Sequence, residues 1–113
     1  MLLKIYQLKA LWKHEDNVVC IHPGWDLFRG WLAIRESWLT IFRNTHMIKF
    51  IITNTKVRLF NNITVVVCLE NIETLVNEKI VRLGVIATNI FERMENRWLL
   101  IHHHSSSVSP NIS

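Results

Sequence analysis

Several features are scarce in this 113-residue sequence, and the scarcity of each one excludes a class of protein. Only two cysteines are present, Cys20 and Cys68, and they form no Cys-x-x-Cys pair, so we do not expect a disulfide framework. We interpret both as small buried hydrophobic residues in a reducing compartment. The sequence also has no Gly-x-Ser-x-Gly motif and no phosphate-binding loop, and neither cysteine has an activating neighbour, which argues against nucleophilic catalysis.

Charged residues make up only 19% of the sequence, and the formal net charge is +4. The lysines and arginines are scattered and build no basic stripe, so we do not expect nucleic acid as a partner. The apolar stretch that begins at Met1 is interrupted at Lys4 and is too short for a secretory signal or a membrane span. We therefore expect a cytoplasmic protein with no membrane partner.

Hydrophobic residues, in contrast, make up 50% of the sequence, and five residues are tryptophan. A chain of this length is enough for one domain with one core. Because tryptophan side chains dominate cores, pockets and interfaces, we expect at least one to line a cavity or a subunit contact. The serine-rich end predicts a loose tail from Ser105. We place the single domain at residues 1–107 and a flexible polar tail at residues 108–113.

The period of the apolar residues changes along the chain. It is helical over residues 2–12 and 30–42, and residues 18–21 predict a short buried strand between them. From Met47 onward the period is two and β-branched residues dominate, which predicts antiparallel strands over residues 47–60, 63–75 and 80–93 and a last strand that contains Trp98. Gly84 predicts a bulge. This order favours an α+β fold, a curved sheet that helices close into a cone with a pocket.

The last strand runs into three consecutive histidines, His102, His103 and His104. Side chains on a strand point alternately to opposite faces. Strict alternation therefore predicts that His102 and His104 share a face with Leu100, and that His103 points the other way.

Five segments occur in an order and at a spacing typical of one family. They are Cys-Ile-His-Pro-Gly-Trp at 20–25, Gly-Trp-x-Ala-Ile-Arg-x-Ser-Trp at 30–38, Glu-Asn-Ile at 70–72, Ala-Thr-Asn-Ile-Phe-Glu-Arg at 87–93 and Trp-x-Leu-x-His-His-His-Ser at 98–105. Over residues 11–107 the chain resembles the SnoaL-like branch of the nuclear-transport-factor-2-like superfamily, which also includes ketosteroid isomerases. The resemblance implies a cone-shaped cystatin-like roll, in which a curved antiparallel sheet packs against N-terminal helices. It does not fix the function, because the superfamily contains isomerases, cyclases, dehydratases, transport factors and oligomerisation hubs. The opening helix looks shorter than that of other members, in which this helix covers the open side of the cone.

The resemblance implies that Glu70 and Asn89 point into the cone. We expect a pocket whose ligand-binding residues are His22, Trp25, Trp38 and Asn89 and whose candidate catalytic residues are Glu70, His102 and His104. Histidine titrates near neutral pH and a carboxylate can orient it, so a histidine–Glu70 pair could act as an acid and base. The alternative is that Glu70 is bonded only to satisfy the core.

Metal chemistry and steroid isomerisation are less well supported. His22, His102 and His104 could converge on a zinc ion, but their spacing is not specific and the family is not generally metal-dependent, so we expect no metal and no cofactor. A steroid-isomerase site needs a tyrosine in the pocket. The only tyrosine, Tyr6, lies in the opening helix.

We therefore expect a domain that holds a small hydrophobic molecule in its cone. We also expect a homodimer that pairs through the outward faces of the long strands, which are apolar at Ile63, Val65, Val67 and Leu69. Two alternatives stay open: a lyase or isomerase of the dehydratase or cyclase type that uses a histidine–glutamate pair, and an oligomerisation module without catalysis. Whether the protein is an enzyme is left undecided by the sequence.

Overall fold

Helices and strands follow one another in the order that the sequence predicts, with one additional strand. The computed structural model describes residues 4–45 and 47–108. The elements of this part of the chain are α1 (Ile5–Leu11), β1 (Val19–Ile21), β2 (Leu27–Arg29), α2 (Trp31–Asn44), β3 (Ile48–Leu59), β4 (Ile63–Val76), β5 (Lys79–Met94) and β6 (Arg97–Val108). The sequence did not predict β2, which has only three residues.

The six strands form one mixed sheet in the order β2-β1-β6-β5-β4-β3. The β1–β6 pair is parallel, and the remaining pairs are antiparallel. The parallel register sets Cys20 beside His103. The histidine run therefore lies inside the sheet, between β1 and β5.

Tight turns join the long strands. Asn77 and Glu78, between β4 and β5, have positive φ values of 49° and 65°. Two successive residues with positive φ form a two-residue type I′ turn, whose twist matches that of the flanking strands. The turn falls between the two strands that the sequence predicts over residues 63–75 and 80–93.

Helix α2 supplies two of the tryptophans of the core. Trp31, Ile34 and Trp38 lie on one face of the helix and are buried, and they pack in a cluster with Leu8 of α1 and Leu100 of β6. Burial of an aliphatic side chain such as Ile34 stabilises the fold by about 1.5–3 kcal/mol. The predicted opening helix is confirmed over Ile5–Leu11 and contributes the buried residue Leu8, while residues 2 and 3 of that prediction lie outside the described part of the chain.

Two irregularities of register decide which side chains face the concave side of the sheet. One lies on β3 between Thr53 and Lys56, where Asn54 has a positive φ of 52°. The other lies on β6: Ile90 pairs with His102 and Phe91 with Leu100, so Ile101 is an extra residue. Such a bulge reverses the alternation of the side chains beyond it.

The bulge at Ile101 corrects the predicted orientation of the histidines. His103 shares the concave side with Leu100 and is buried, whereas His102 and His104 point to the opposite side. The prediction that His102 and His104 face the pocket is wrong, because it assumed unbroken alternation.

Two smaller predictions also differ from the structure. Gly84 pairs regularly with Asn71 and with Val108, so no bulge occurs there. The loose tail predicted from Ser105 is wrong as far as Val108, since this segment is the end of β6. The remainder of the predicted tail, residues 109–113, lies outside the described part of the chain.

Candidate functional site

The concave side of the sheet lines an open cavity with two adjoining lobes. The smaller lobe, of about 270 Å³, lies under α1, and the larger, of about 400 Å³, lies between α2 and the far ends of β4, β5 and β6. The walls of both lobes are mainly aliphatic and aromatic, with few polar groups. The two lobes share four lining residues, which are Trp38, Phe50, Glu70 and His103.

Most of the predicted site residues lie in this cavity. His22 and Trp25 line the larger lobe, Asn89 lines the smaller one, and Trp38 and Glu70 line both. His102 instead lines a polar groove on the opposite side of the sheet, and His104 is exposed. The cavity histidine that the sequence did not single out is His103.

Glu70 is the acidic group of the cavity. The Glu70 side chain projects from β4, and the residue is only 9% exposed. Its carboxyl group forms no hydrogen bond or ion pair with another residue in the described part of the chain. Burial disfavours the charged form and raises the pKa of Glu70 to about 7. The carboxyl group therefore exchanges its proton near neutral pH.

His22 is held in one tautomer by a chain of hydrogen bonds. The Ser37 hydroxyl donates its proton to the carbonyl oxygen of Ile34 at 2.7 Å. His22 Nε2 lies 2.8 Å from the Ser37 Oγ, which has no further proton to give, so Nε2 carries the proton and donates it. Burial lowers the pKa of His22 to about 4, so the ring is neutral at pH 7.

His103 is likewise held in one tautomer, by a hydrogen bond to Asn89 of the neighbouring strand β5. Its Nδ1 lies 2.5 Å from Asn89 Oδ1, an acceptor, so Nδ1 is the protonated nitrogen and Nε2 keeps its lone pair. Burial, and then the nearby histidines, lower the pKa of His103 to about 4. Among the described residues, the cavity is therefore lined by two neutral imidazoles and by one acid whose pKa is near 7.

Trp38 contributes a polar group that the rest of the site leaves unused. The residue is 9% exposed, and its indole ring lies nearly perpendicular to the His22 ring, with centroids 4.8 Å apart. Its Nε1 is buried, and across residues 4–45 and 47–108 it has no hydrogen-bond partner. Buried N–H groups are nearly always hydrogen-bonded, so this donor is an exception that needs an explanation.

The charge of Glu70 acts on both cysteines, Cys20 and Cys68. Burial, and secondly the charge of Glu70, raise the pKa of Cys20 to about 12 and also raise that of Cys68. Both thiols are therefore protonated at neutral pH, which makes them poor nucleophiles.

The described residues contain no group of three or more metal-ligating side chains. The convergence considered for His22, His102 and His104 does not form, because His22 lines the cavity and the other two do not. None of the helices within residues 4–45 and 47–108 is long and apolar enough to cross a membrane.

Comparison with known proteins identifies the family. The family model of the SnoaL-like domain matches residues 4–110. The chain belongs to the SnoaL-like domain family. This result confirms the resemblance that the sequence motifs indicate, and the curved sheet with its two helices confirms the α+β, cystatin-like roll.

Three relatives of this SnoaL-like domain illustrate the range of its similarities. The F-box protein SKIP8 of Arabidopsis thaliana is 30% identical over 100 residues, which are 88% of this chain and 40% of that protein. A provisionally named dehydratase of the NTF2-like family from Streptomyces avermitilis is 36% identical with a TM-score of 0.76, over 81% of this chain and 66% of its own. A provisionally named calcium/calmodulin-dependent protein kinase type II association domain from Thiobacillus denitrificans is 23% identical with a TM-score of 0.81, over 94% of this chain and 83% of its own. The chain thus spans about two fifths of the length of the curated relative that it matches.

Proposed function

We propose that the cavity of this SnoaL-like domain binds a small hydrophobic molecule. The observation that carries the proposal is the pair of adjoining lobes, of about 270 and 400 Å³, with apolar walls and a few polar groups that converge where the lobes meet. Ligand sites in proteins have this size and this composition. His22, Trp25, Trp38 and Asn89 are the proposed ligand-binding residues.

Blocking the larger lobe tests the proposal. Ser107 lines that lobe, whereas the adjacent Ser106 does not. We expect Ser107→Trp to fill the lobe and to abolish saturable binding of the neutral dye Nile red, which fluoresces in apolar surroundings. Titration of the dye into the wild-type protein should give a saturable increase in fluorescence.

Ser106→Trp is the matched control, since it introduces the same side chain one residue away on the opposite side of the strand. It should bind the dye like the wild type. An equal response of all three proteins would place the dye elsewhere and would contradict the proposal. Circular dichroism and urea denaturation show whether both variants are folded.

A second candidate function is a dehydratase in which Glu70 acts as an acid and base. It is favoured by the pKa of Glu70 near 7 and by the name of the Streptomyces relative. In such a reaction the Glu70 carboxylate would take the proton next to a carbonyl group, the β-hydroxyl would leave as water after gaining that proton, and a C=C bond would form. His103, with its unprotonated Nε2, replaces His102 and His104 as the candidate partner.

Proton exchange tests the enzymatic candidate without a known substrate. Incubated in D₂O with 4-hydroxy-4-phenylbutan-2-one, a β-hydroxy ketone, the wild-type protein should catalyse exchange of the protons between the two oxygen-bearing carbons, measured by NMR. Glu70→Gln should abolish the exchange, while Glu73→Gln, three residues along the same strand, should not. Exchange at the buffer rate in the wild type would count against catalysis of this kind.

Self-association is a further part of the proposal. The convex side of the sheet exposes apolar residues, including Ile51, Val67 and Ile86, which are 45%, 37% and 44% exposed. We propose a homodimer that covers this side, an arrangement that the association-domain name of the Thiobacillus relative makes plausible. Light scattering should give twice the mass of the chain, and Val67→Lys should give the mass of one chain. A cytoplasmic location and the absence of nucleic-acid and membrane partners stay predictions.

A further inference from the structure

Within the part of the chain that the structure describes, the indole N–H of Trp38 is buried and has no acceptor, and Trp38 lines both lobes of the cavity. We propose that the ligand carries a neutral hydrogen-bond acceptor, such as a ketone oxygen, between two apolar arms, and that Trp38 Nε1 donates to this acceptor. The inference rests on the proposed binding function and goes beyond it by naming the chemical class of the ligand.

The unsatisfied donor supplies the first argument. A buried N–H without a partner has lost its hydrogen bond to water and has gained nothing in exchange. The neighbouring donors already have acceptors, since Ser37 donates to Ile34 and His103 donates to Asn89. An acceptor on a bound molecule would satisfy the donor that the fold leaves open.

The position of Trp38 supplies the second argument. Trp38 is one of the four residues that line both lobes, so an acceptor beside its indole ring lies where the lobes meet. One arm of the ligand would extend against Phe91 and Leu100 in the smaller lobe. The other would extend against Ile72 and Val85 in the larger lobe.

The charges of the lining residues supply the third argument. The described residues that line the two lobes include no lysine or arginine, so a negatively charged ligand would find no counter-ion among them and would face Glu70. A neutral acceptor needs no counter-ion. A positively charged ligand could pair with Glu70, and the experiment must distinguish this case.

Three probes of nearly the same shape test the inference. Benzophenone has a carbonyl group between two phenyl rings, diphenylmethane has a methylene group there, and benzhydrylamine has a protonated amine on the corresponding carbon. Calorimetric titration of the wild type at pH 8 should show benzophenone binding about fivefold more tightly than diphenylmethane, which is the ratio that about 1 kcal/mol produces. Benzhydrylamine should not bind more tightly than benzophenone.

Trp38→Phe removes the N–H and keeps an aromatic ring. This substitution should weaken the binding of benzophenone, so that the ratio of the two affinities falls to about one. The affinity for diphenylmethane should stay within about twofold of its wild-type value. Trp98→Phe is the matched control, because Trp98 lines neither lobe and is 37% exposed. It should keep the fivefold ratio.

A measurement on the wild type keeps the inference testable if Trp38→Phe fails to fold. In protein labelled with ¹⁵N-tryptophan, benzophenone should move the indole N–H signal of Trp38 downfield, and diphenylmethane should not.

The outcomes separate the two proposals. Equal affinities for benzophenone and diphenylmethane would overturn the acceptor inference and leave the binding function intact. Tightest binding of benzhydrylamine would also overturn it and would point to Glu70 as the recognition group. No binding of any probe would contradict both proposals.

Discussion

Replacing Glu70 by glutamine tests the physical state of the cavity. Glutamine has nearly the shape of a protonated glutamate but cannot ionise. Burial raises the pKa of Glu70 from 4.5 to about 7 in the folded protein. At about 1.4 kcal/mol per pKa unit, this shift corresponds to about 3 kcal/mol of unfolding free energy.

The direction of this pH dependence follows from the number of protons that the folded and unfolded states bind. Between pH 4.5 and about 7 the folded wild-type protein keeps a proton on Glu70 that the unfolded chain has lost, so its stability falls as the pH rises through this range. Below this range both states are protonated, and above it both are ionised. Glu70→Gln should therefore match the wild type at pH 4 and exceed its unfolding free energy by about 3 kcal/mol at pH 8.

The difference between variant and wild type isolates this effect. His22 and His103 change the unfolding free energy over an overlapping pH range but in the opposite direction. Burial lowers the pKa of each to about 4, so their stabilising contribution is lost as the pH falls from 6.5. Both proteins contain these histidines, so the histidine contribution cancels in the difference.

Urea denaturation at unit steps from pH 4 to pH 8, at one protein concentration, measures the difference. Glu73→Gln is the control on the same strand. The hydrogen bond from Arg82 to Glu73, 2.9 Å long, lowers the pKa of Glu73. Removal of the Glu73 carboxylate should therefore destabilise the protein at pH 8 rather than stabilise it. A Glu70→Gln effect that does not change between pH 4 and pH 8 would refute the reasoning.

Three further predictions concern the core and the cavity wall. Ile34→Ala should lower the unfolding free energy by about 2–5 kcal/mol in urea denaturation, because Ile34 is 0% exposed, whereas Leu32→Ala, at a residue 77% exposed, should change it by less than about 0.5 kcal/mol. Cys20 should react with a thiol reagent such as Ellman's reagent more than about tenfold more slowly in the folded protein than in urea, since it is buried and its pKa is raised to about 12; equal rates would contradict this. His103→Gln should lose less stability than the wild type between pH 6.5 and pH 4, and parallel pH profiles would show that His103 is not buried as a neutral ring.

The long elements could be predicted from the sequence because their patterns are long. Trp31, Ile34 and Trp38 recur at the period of a helix, and the helix forms there with all three residues buried. The strands from Met47 onward alternate over many residues, so a misplaced boundary does not alter their assignment. β2 could not be predicted, because its three residues form a strand only through their pairing with β1.

The orientation of the histidines could not be predicted, because it depends on a single residue. The extra residue at Ile101 exchanges the faces of His102 and His103, and nothing in the local sequence marks it. Gly84 carries the usual signal for a bulge and has none, whereas Asn54 lies at the irregular point of β3. Glu70 and Asn89 were placed in the cone by family resemblance, and both line the cavity.

Transfer of magnetisation from a bound probe to methyl groups tests the proposed cavity site most directly. The probe is diphenylmethane at saturation, and the protein carries ¹³C-labelled methyl groups. If diphenylmethane occupies the cavity, we expect nuclear Overhauser effects from the phenyl protons to Ile72 and Val85, which line the larger lobe. Effects confined to Val67 and Ile86 on the convex side, or none at all, would contradict it.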